Sequence, residues 1–367
     1  MTEPADLPTL LEISAEIAWP DTNAEAATHA RLHAAGLADG ALGRLADLAT
    51  WLSGVQGVCP PREPRRPRLV VFRAGGSGGG DVAAVFADVA AVGLRVVDLS
   101  AGTSTAATPI SATSTAATST STSATSTVAT STSTSATATV DTSTPDISAA
   151  GRVVDAAAVD ALIRAGARVA DEEIDAGADL LVVGATGRAG PVADAVVSIM
   201  TLVEPVKVVG LSTTLSDAEW MTWVADVRDT RLRGLPHRHD VAELLATVGG
   251  PEMAALTGFL LRAAARRTPV LFDGVAAAAA VLLAREAAPN VVRWCLPGAR
   301  STRPAHDLAL AEFAAVPVLD LAFGVDDGIG SVLAVPLLRA AARAVTDLTV
   351  TEPAGEPAGE PATESAT

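Results

Sequence analysis

The sequence predicts an α/β protein: a doubly wound, mainly parallel sheet flanked by helices, with a small helical subdomain built from the chain ends. Three features carry that expectation. Short, mostly apolar runs have the composition of strands buried on both faces, longer stretches between them follow a helical period, and the two kinds alternate along the chain. A chain of 367 residues that is 49% hydrophobic also holds enough apolar mass for a large core.

In chain order, Met1 to Asp6 lacks the cationic start and apolar core of a secretion signal. Strands are expected at Arg68 to Phe72, Leu94 to Asp98, Leu180 to Val183, Val206 to Val209, Pro269 to Phe272 and Val291 to Trp294. Helices are expected from Val154 to Ile174 and from Pro251 to Ala265, the second opened by a proline suited to a first helical turn. Val275 to Ala284 is the most apolar stretch. At about ten residues it falls short of the roughly 20 that span a bilayer, so it reads as a buried helix. From 101 to 147 the chain is almost entirely Ser, Thr and Ala, which reads as a disordered insertion. Residues 351–367 repeat Glu-Pro-Ala-Gly and read as a disordered acidic tail, leaving 1–350 as one interrupted domain.

Charge narrows the partners. Lys and Arg number 26 against 42 Asp and Glu, a formal charge of −16, so nucleic acid and anionic membrane surfaces are not expected. Cys59 and Cys295 are too few for a disulfide framework or a cysteine zinc site, which points to a reducing cytoplasm with no metal or redox cofactor.

Candidate chemistry lies in the loops after the strands, where doubly wound sheets bind ligands. Gly75-Gly76-Ser77-Gly78-Gly79-Gly80 has the look of a phosphate cradle, but it matches neither a dinucleotide fingerprint nor the lysine-bearing P-loop, and a plain flexible loop is the alternative. His237-Arg238-His239-Asp240 lacks a third metal ligand and reads as a solvated loop. Asp326-Asp327, within Gly324 to Gly330, is either a site or an exposed acidic turn capping a helix near Ser331. Asp273 has the same placement after its strand, with a helix cap as its alternative.

Several segments then fall into a known order and spacing: Gly249-Gly250-Pro251-Glu252 through Gly258, Pro269 through Asp273-Gly274, Arg300-Ser301 through His306, Val318 to Leu321, and Gly328-Ile329-Gly330. Together they resemble the nicotinate-nucleotide:dimethylbenzimidazole phosphoribosyltransferase (CobT) family. Upstream, Gly40 to Leu45 resembles that family's GSLGRL segment, and Val154 to Gly184 its helix and strand before the GEMGIGNTT loop. The resemblance implies transfer of phosphoribose from nicotinate mononucleotide to a benzimidazole base, with inversion at the anomeric carbon, by a homodimer that needs no cofactor. It places a general base at Asp327, where the family's GEGTG turn has Glu, one methylene longer. It places Gly249, Gly250, Glu252, Asp273, Ser301, His306, Gly328 and Gly330 by the substrates, with Gly184, Gly187 and Arg188 in the loop that replaces GEMGIGNTT. Arg188 is the candidate replacement cation for phosphate. The family's Glu in that loop is absent, its Asp-His-Gly becomes Gly76-Ser77-Gly78, and its later lysine falls on Trp223. These losses keep an alternative open: a catalytically degenerate paralogue that binds a base, nucleotide or protein partner without turnover.

Overall fold

The structure, a computed structural model, describes residues 9–35, 40–74, 80–99, 153–187, 189–211, 215–325 and 327–348. The insertion at 101–147, the tail at 351–367, most of the glycine run after Phe72, Arg188 and Asp326 lie outside the described residues.

The chain opens with α1 (Leu10–Glu16), α2 (Thr22–Ala34) and α3 (Arg44–Gln56), then β1 (Pro67–Ala74), α4 (Gly80–Val89), β2 (Gly93–Asp98), α5 (Ala156–Asp175), β3 (Leu180–Gly187) and α6 (Ala189–Thr201). It continues through α7 (Pro205–Val209), α8 (Asp217–Gly234), α9 (Val241–Val248), α10 (Pro251–Ala265), β4 (Val270–Phe272), α11 (Gly274–Ala287) and β5 (Cys295–Pro297). The last elements are β6 (Ala299–Ser301), α12 (Pro304–Ala311), β7 (Leu319–Phe323) and α13 (Ile329–Asp347).

Five strands form one parallel sheet in the order β2-β1-β3-β4-β5, the doubly wound arrangement expected. Leu69 to Phe72 and Leu180 to Val183 are fully enclosed, which is why these strands read as continuous apolar runs. At Gly298 the chain leaves this sheet, and β6 pairs in parallel with β7 as a second, two-stranded sheet. Helix α5 packs along α10, and α10 lies against β1, β3 and β4. Helix α11 is buried from Gly274 to Ala284, as its composition predicts.

Two expected strands are helical instead. Val206 to Val209 lies in α7, because Pro205 sets the first helical turn and Gly210, at φ +65°, ends it. Val291 to Trp294 falls in and just after a 3-10 turn (Pro289–Arg293), and the strand begins at Cys295. Both runs are short and β-branched, and period alone cannot separate such strands from a helical turn. Among the described residues the helix long and apolar enough to cross a membrane, by length and composition only, is α13 and not α11; just over half of its apolar window is buried and it contains Pro336.

The molecule divides into two compact units. The larger one comprises 1–19 and 64–336 and contains the sheets. The smaller, 20–63 with 337–367, is helical in its described part, in keeping with a subdomain drawn from both chain ends. Within it Thr28 Oγ1 donates to Ser53 Oγ at 2.6 Å, and Arg31 donates to the Val345 and Leu348 carbonyls at 2.8 and 3.0 Å, covering acceptors that a helix end leaves open.

Candidate active site

Strand order reverses between β1 and β3, whose carboxyl ends, Ala74 and Gly187, pair, and this is the edge at which doubly wound sheets bind ligands. Strand β4 stops level with Val183, one residue before Gly184. The Asp327-Gly328 turn fills that gap. A side chain at Gly184 would strike the Asp327 main chain, and Gly328 sits at φ +90°, a conformation that disfavours any other residue. Asp327 is therefore held at the sheet's carboxyl edge, 5% exposed, with Oδ1 accepting from Ile329 N at 3.4 Å at the start of α13. Its expected alternative, an exposed acidic turn, does not fit this burial.

Asp273 directly follows β4 and is also buried. Its Oδ2 accepts from Ser331 N at 2.7 Å. The Gly330 α-carbon passes so close to Ala299 and Asp273 Oδ2 that a methyl group there would collide with both. Asp273, Asp327, Gly184, Gly328 and Gly330 are thus brought together.

A second cluster forms where β6 turns into α12. Ser301 N donates to His306 Nδ1 at 3.2 Å, so the ring proton belongs on Nε2. His306 is wholly buried, and burial pushes its pKa down to about 4, which keeps the imidazole neutral. Arg303 N donates to Ser301 Oγ at 3.3 Å, while its guanidinium donates to both oxygens of Asp194 at 2.8 and 2.7 Å. Trp223 Nε1 donates to the same carboxylate at 2.7 Å, and Arg303 lies over the indole, 5.5 Å from its centroid.

Comparison with known proteins places the chain in a family. A phosphoribosyltransferase family model matches residues 17–355. The nicotinate-nucleotide–dimethylbenzimidazole phosphoribosyltransferase of Mycobacterium ulcerans is 39% identical over 364 residues, covering 93% of this chain and 94% of that protein. The chain belongs to this phosphoribosyltransferase family. The protein of the same description from Mycobacterium tuberculosis is 38% identical over 369 residues, covering 93% of this chain and 94% of that one. The crystal structure of CobT from Thermus thermophilus superposes with a TM-score of 0.70 at 23% identity, over 88% of this chain and 96% of that chain, and shares the fold.

Within the family frame, the departures seen in the sequence acquire positions. Trp223, where the resemblance puts a lysine, lays its ring on Gly190 in the first turn of α6; a methyl at Gly190 would sit 2.5 Å from the indole Cη2. The cation beside it is Arg303, which sequence reasoning passed over. Asp194 was missed as well: it is 1% exposed and lies 109 residues from its partner, so nothing local marks it.

Glu252, Gly249 and Gly250 occupy the start of α10. Both glycines have positive φ, and Gly250 packs on Val192 of α6. Glu252 is 2% exposed, burial pushes its carboxyl above the usual range, and its Oε2 has no hydrogen-bond partner among the described residues. The His237 to Asp240 segment is structural: Asp240 Oδ1 caps α9 through Glu243 N at 3.0 Å, and His239 meets Glu286 at 2.7 Å. Among the described residues no group of three or more His, Cys, Asp or Glu stands ready for a metal ion.

Proposed function

We propose that this chain transfers phosphoribose from nicotinate mononucleotide to 5,6-dimethylbenzimidazole, giving α-ribazole 5′-phosphate and nicotinate. One benzimidazole nitrogen attacks the anomeric carbon of the ribose. The bond from that carbon to the pyridine nitrogen breaks, its electron pair stays with nicotinate, and the other benzimidazole nitrogen gives up its proton. Asp327 is the residue we assign to accept that proton. The observation that carries this reading is the buried Asp327 carboxylate, fixed on a glycine seat at the sheet's carboxyl edge.

The other assignments follow position. Gly184, Gly187 and Arg188 precede α6, whose positive end and a guanidinium suit the phosphoribosyl group. Ser301, held by neutral His306, and Gly249, Gly250 and Glu252 at the start of α10 are assigned to the remaining substrate contacts. Asp273, Gly328 and Gly330 shape the turn that carries the base. The working form is proposed to be a cytoplasmic homodimer, as the sequence resemblance implies, and light scattering after gel filtration tests its mass.

Purified protein mixed with both substrates should release nicotinate and α-ribazole phosphate in equal amounts, read by liquid chromatography with mass detection. Saturable substrate binding with no product above the protein-free control would reject the reading in favour of a binding protein.

A further inference from the structure

Asp273 stands at the N-cap position of α11 but makes no side-chain cap bond to that helix. Its Oδ2 reaches 58 residues ahead in sequence to the amide of Ser331, and both residues are buried. Ser331 is the third residue of α13, so Asp273 caps a helix to which it does not belong. The bond, at 2.7 Å, is short and charge-assisted. Asp327's own contact with the same helical turn, Ile329 N at 3.4 Å, is long for a hydrogen bond.

The first turn of α13 is thus held from β4 as well as from the turn that precedes it. With Asp273 anchoring the turn from β4, Asp327 is not the sole cap. The approach is built in from two further sides, because Gly330 passes against Asp273 and Gly298 passes against Ser331, each without room for a side chain. We propose that Asp273 is the positioning residue for the base. By capping α13 from the end of β4, it sets the height and rotation of the Asp327-Gly328 turn. This inference rests on the function proposed above.

Asp273→Ala removes the acceptor, whereas Asp273→Asn leaves an oxygen able to receive the Ser331 amide. Asp273→Ala should lower kcat about 100-fold, the scale of a 1 Å misplacement, with KM for both substrates within about threefold of wild type. Asp273→Asn should return kcat to within about tenfold of wild type. Hydrogen exchange at the Ser331 amide reads the cap without turnover: it should accelerate in Asp273→Ala and stay slow in Asp273→Asn. A raised KM with unchanged kcat would overturn the proposal by making Asp273 a substrate ligand. An Asn variant as slow as Ala, with Ser331 still protected, would overturn it by making the charge itself act on the reaction. If the wild type makes no product, the proposed function fails on its own, and unchanged Ser331 exchange in Asp273→Ala would separately overturn the cap.

Discussion

Two buried polar clusters stand near the candidate site, and they are assembled by opposite means. Around β3, β4 and the first turn of α13, main chain meets main chain, and the polar groups are short acids, Asp273 and Asp327, on amides of one helical turn. Between α6, α8 and α12 long side chains meet on one carboxylate, with Arg303 and Trp223 both converging on Asp194. The glycines of the first cluster have no room for a side chain, so its weakness is an atom added to the main chain there. The second has flexible ends that can move aside, so its weakness is loss of a charged partner from a buried carboxylate.

The largest effect should come from pitting one glycine of each cluster against the other. Gly184→Ala drives a methyl into the Asp327 main chain, whereas Gly190→Ala meets the far edge of the Trp223 ring, which can swing. We expect at least about 100-fold loss of kcat for Gly184→Ala and less than about tenfold for Gly190→Ala, since backbone cannot yield as a side chain can. Equal losses in steady-state assays would erase the contrast.

Next in size is a pH effect that His306 gives the second cluster. His306 stays neutral when folded, with its pKa near 4, while the unfolded chain binds a proton from about 6.5 downward. Stability should therefore fall as pH drops from about 6.5 toward 4, by an amount on the order of 3 kcal/mol. Glu252 works with the opposite sign, because its raised pKa makes the folded state keep a proton that the unfolded chain sheds as pH rises past 4.5. Urea titrations across this range should lose the acid-side decline in His306→Gln and the opposing slope in Glu252→Gln. A slope untouched by His306→Gln would mean that the imidazole is charged in the folded protein.

A smaller loss is expected on removing the cation of the second cluster. Arg303→Ala takes the guanidinium from Asp194, and because Arg303 is partly exposed the cost should be about 2 kcal/mol rather than the larger penalty of a fully buried pair. Adding Asp194→Asn should recover much of it, as a double-mutant cycle in urea would show. Additive losses would mean that the pair is not coupled.

The same contrast explains what could be read from the sequence. Strands β1, β3 and β4 were legible because parallel strands buried on both faces are largely apolar, and α10 was legible from Pro251 to Ala265 because proline opens it. Val206 to Val209 misled because the same apolar texture serves a short helix, and Pro205, which decides the matter, lies just outside the run. The glycines around Asp327 drew attention as a local pattern, and the resemblance gave the pattern a role. The cap made by Asp273 was legible only as a cap on its own helix, because its true partner is supplied by the fold. Asp194 carried no signal at all, since an acid inside a helix declares nothing until Arg303 and Trp223 arrive from elsewhere.

The most direct test of the whole account is the rate of α-ribazole phosphate formation by wild type, Asp327→Glu and Asp327→Asn under saturating substrates. General-base catalysis at this residue predicts that Asp327→Asn loses about 100-fold or more, while Asp327→Glu, which retains a carboxylate, keeps product formation within about tenfold of wild type. Equal rates in all three proteins would contradict it and remove Asp327 from the chemistry.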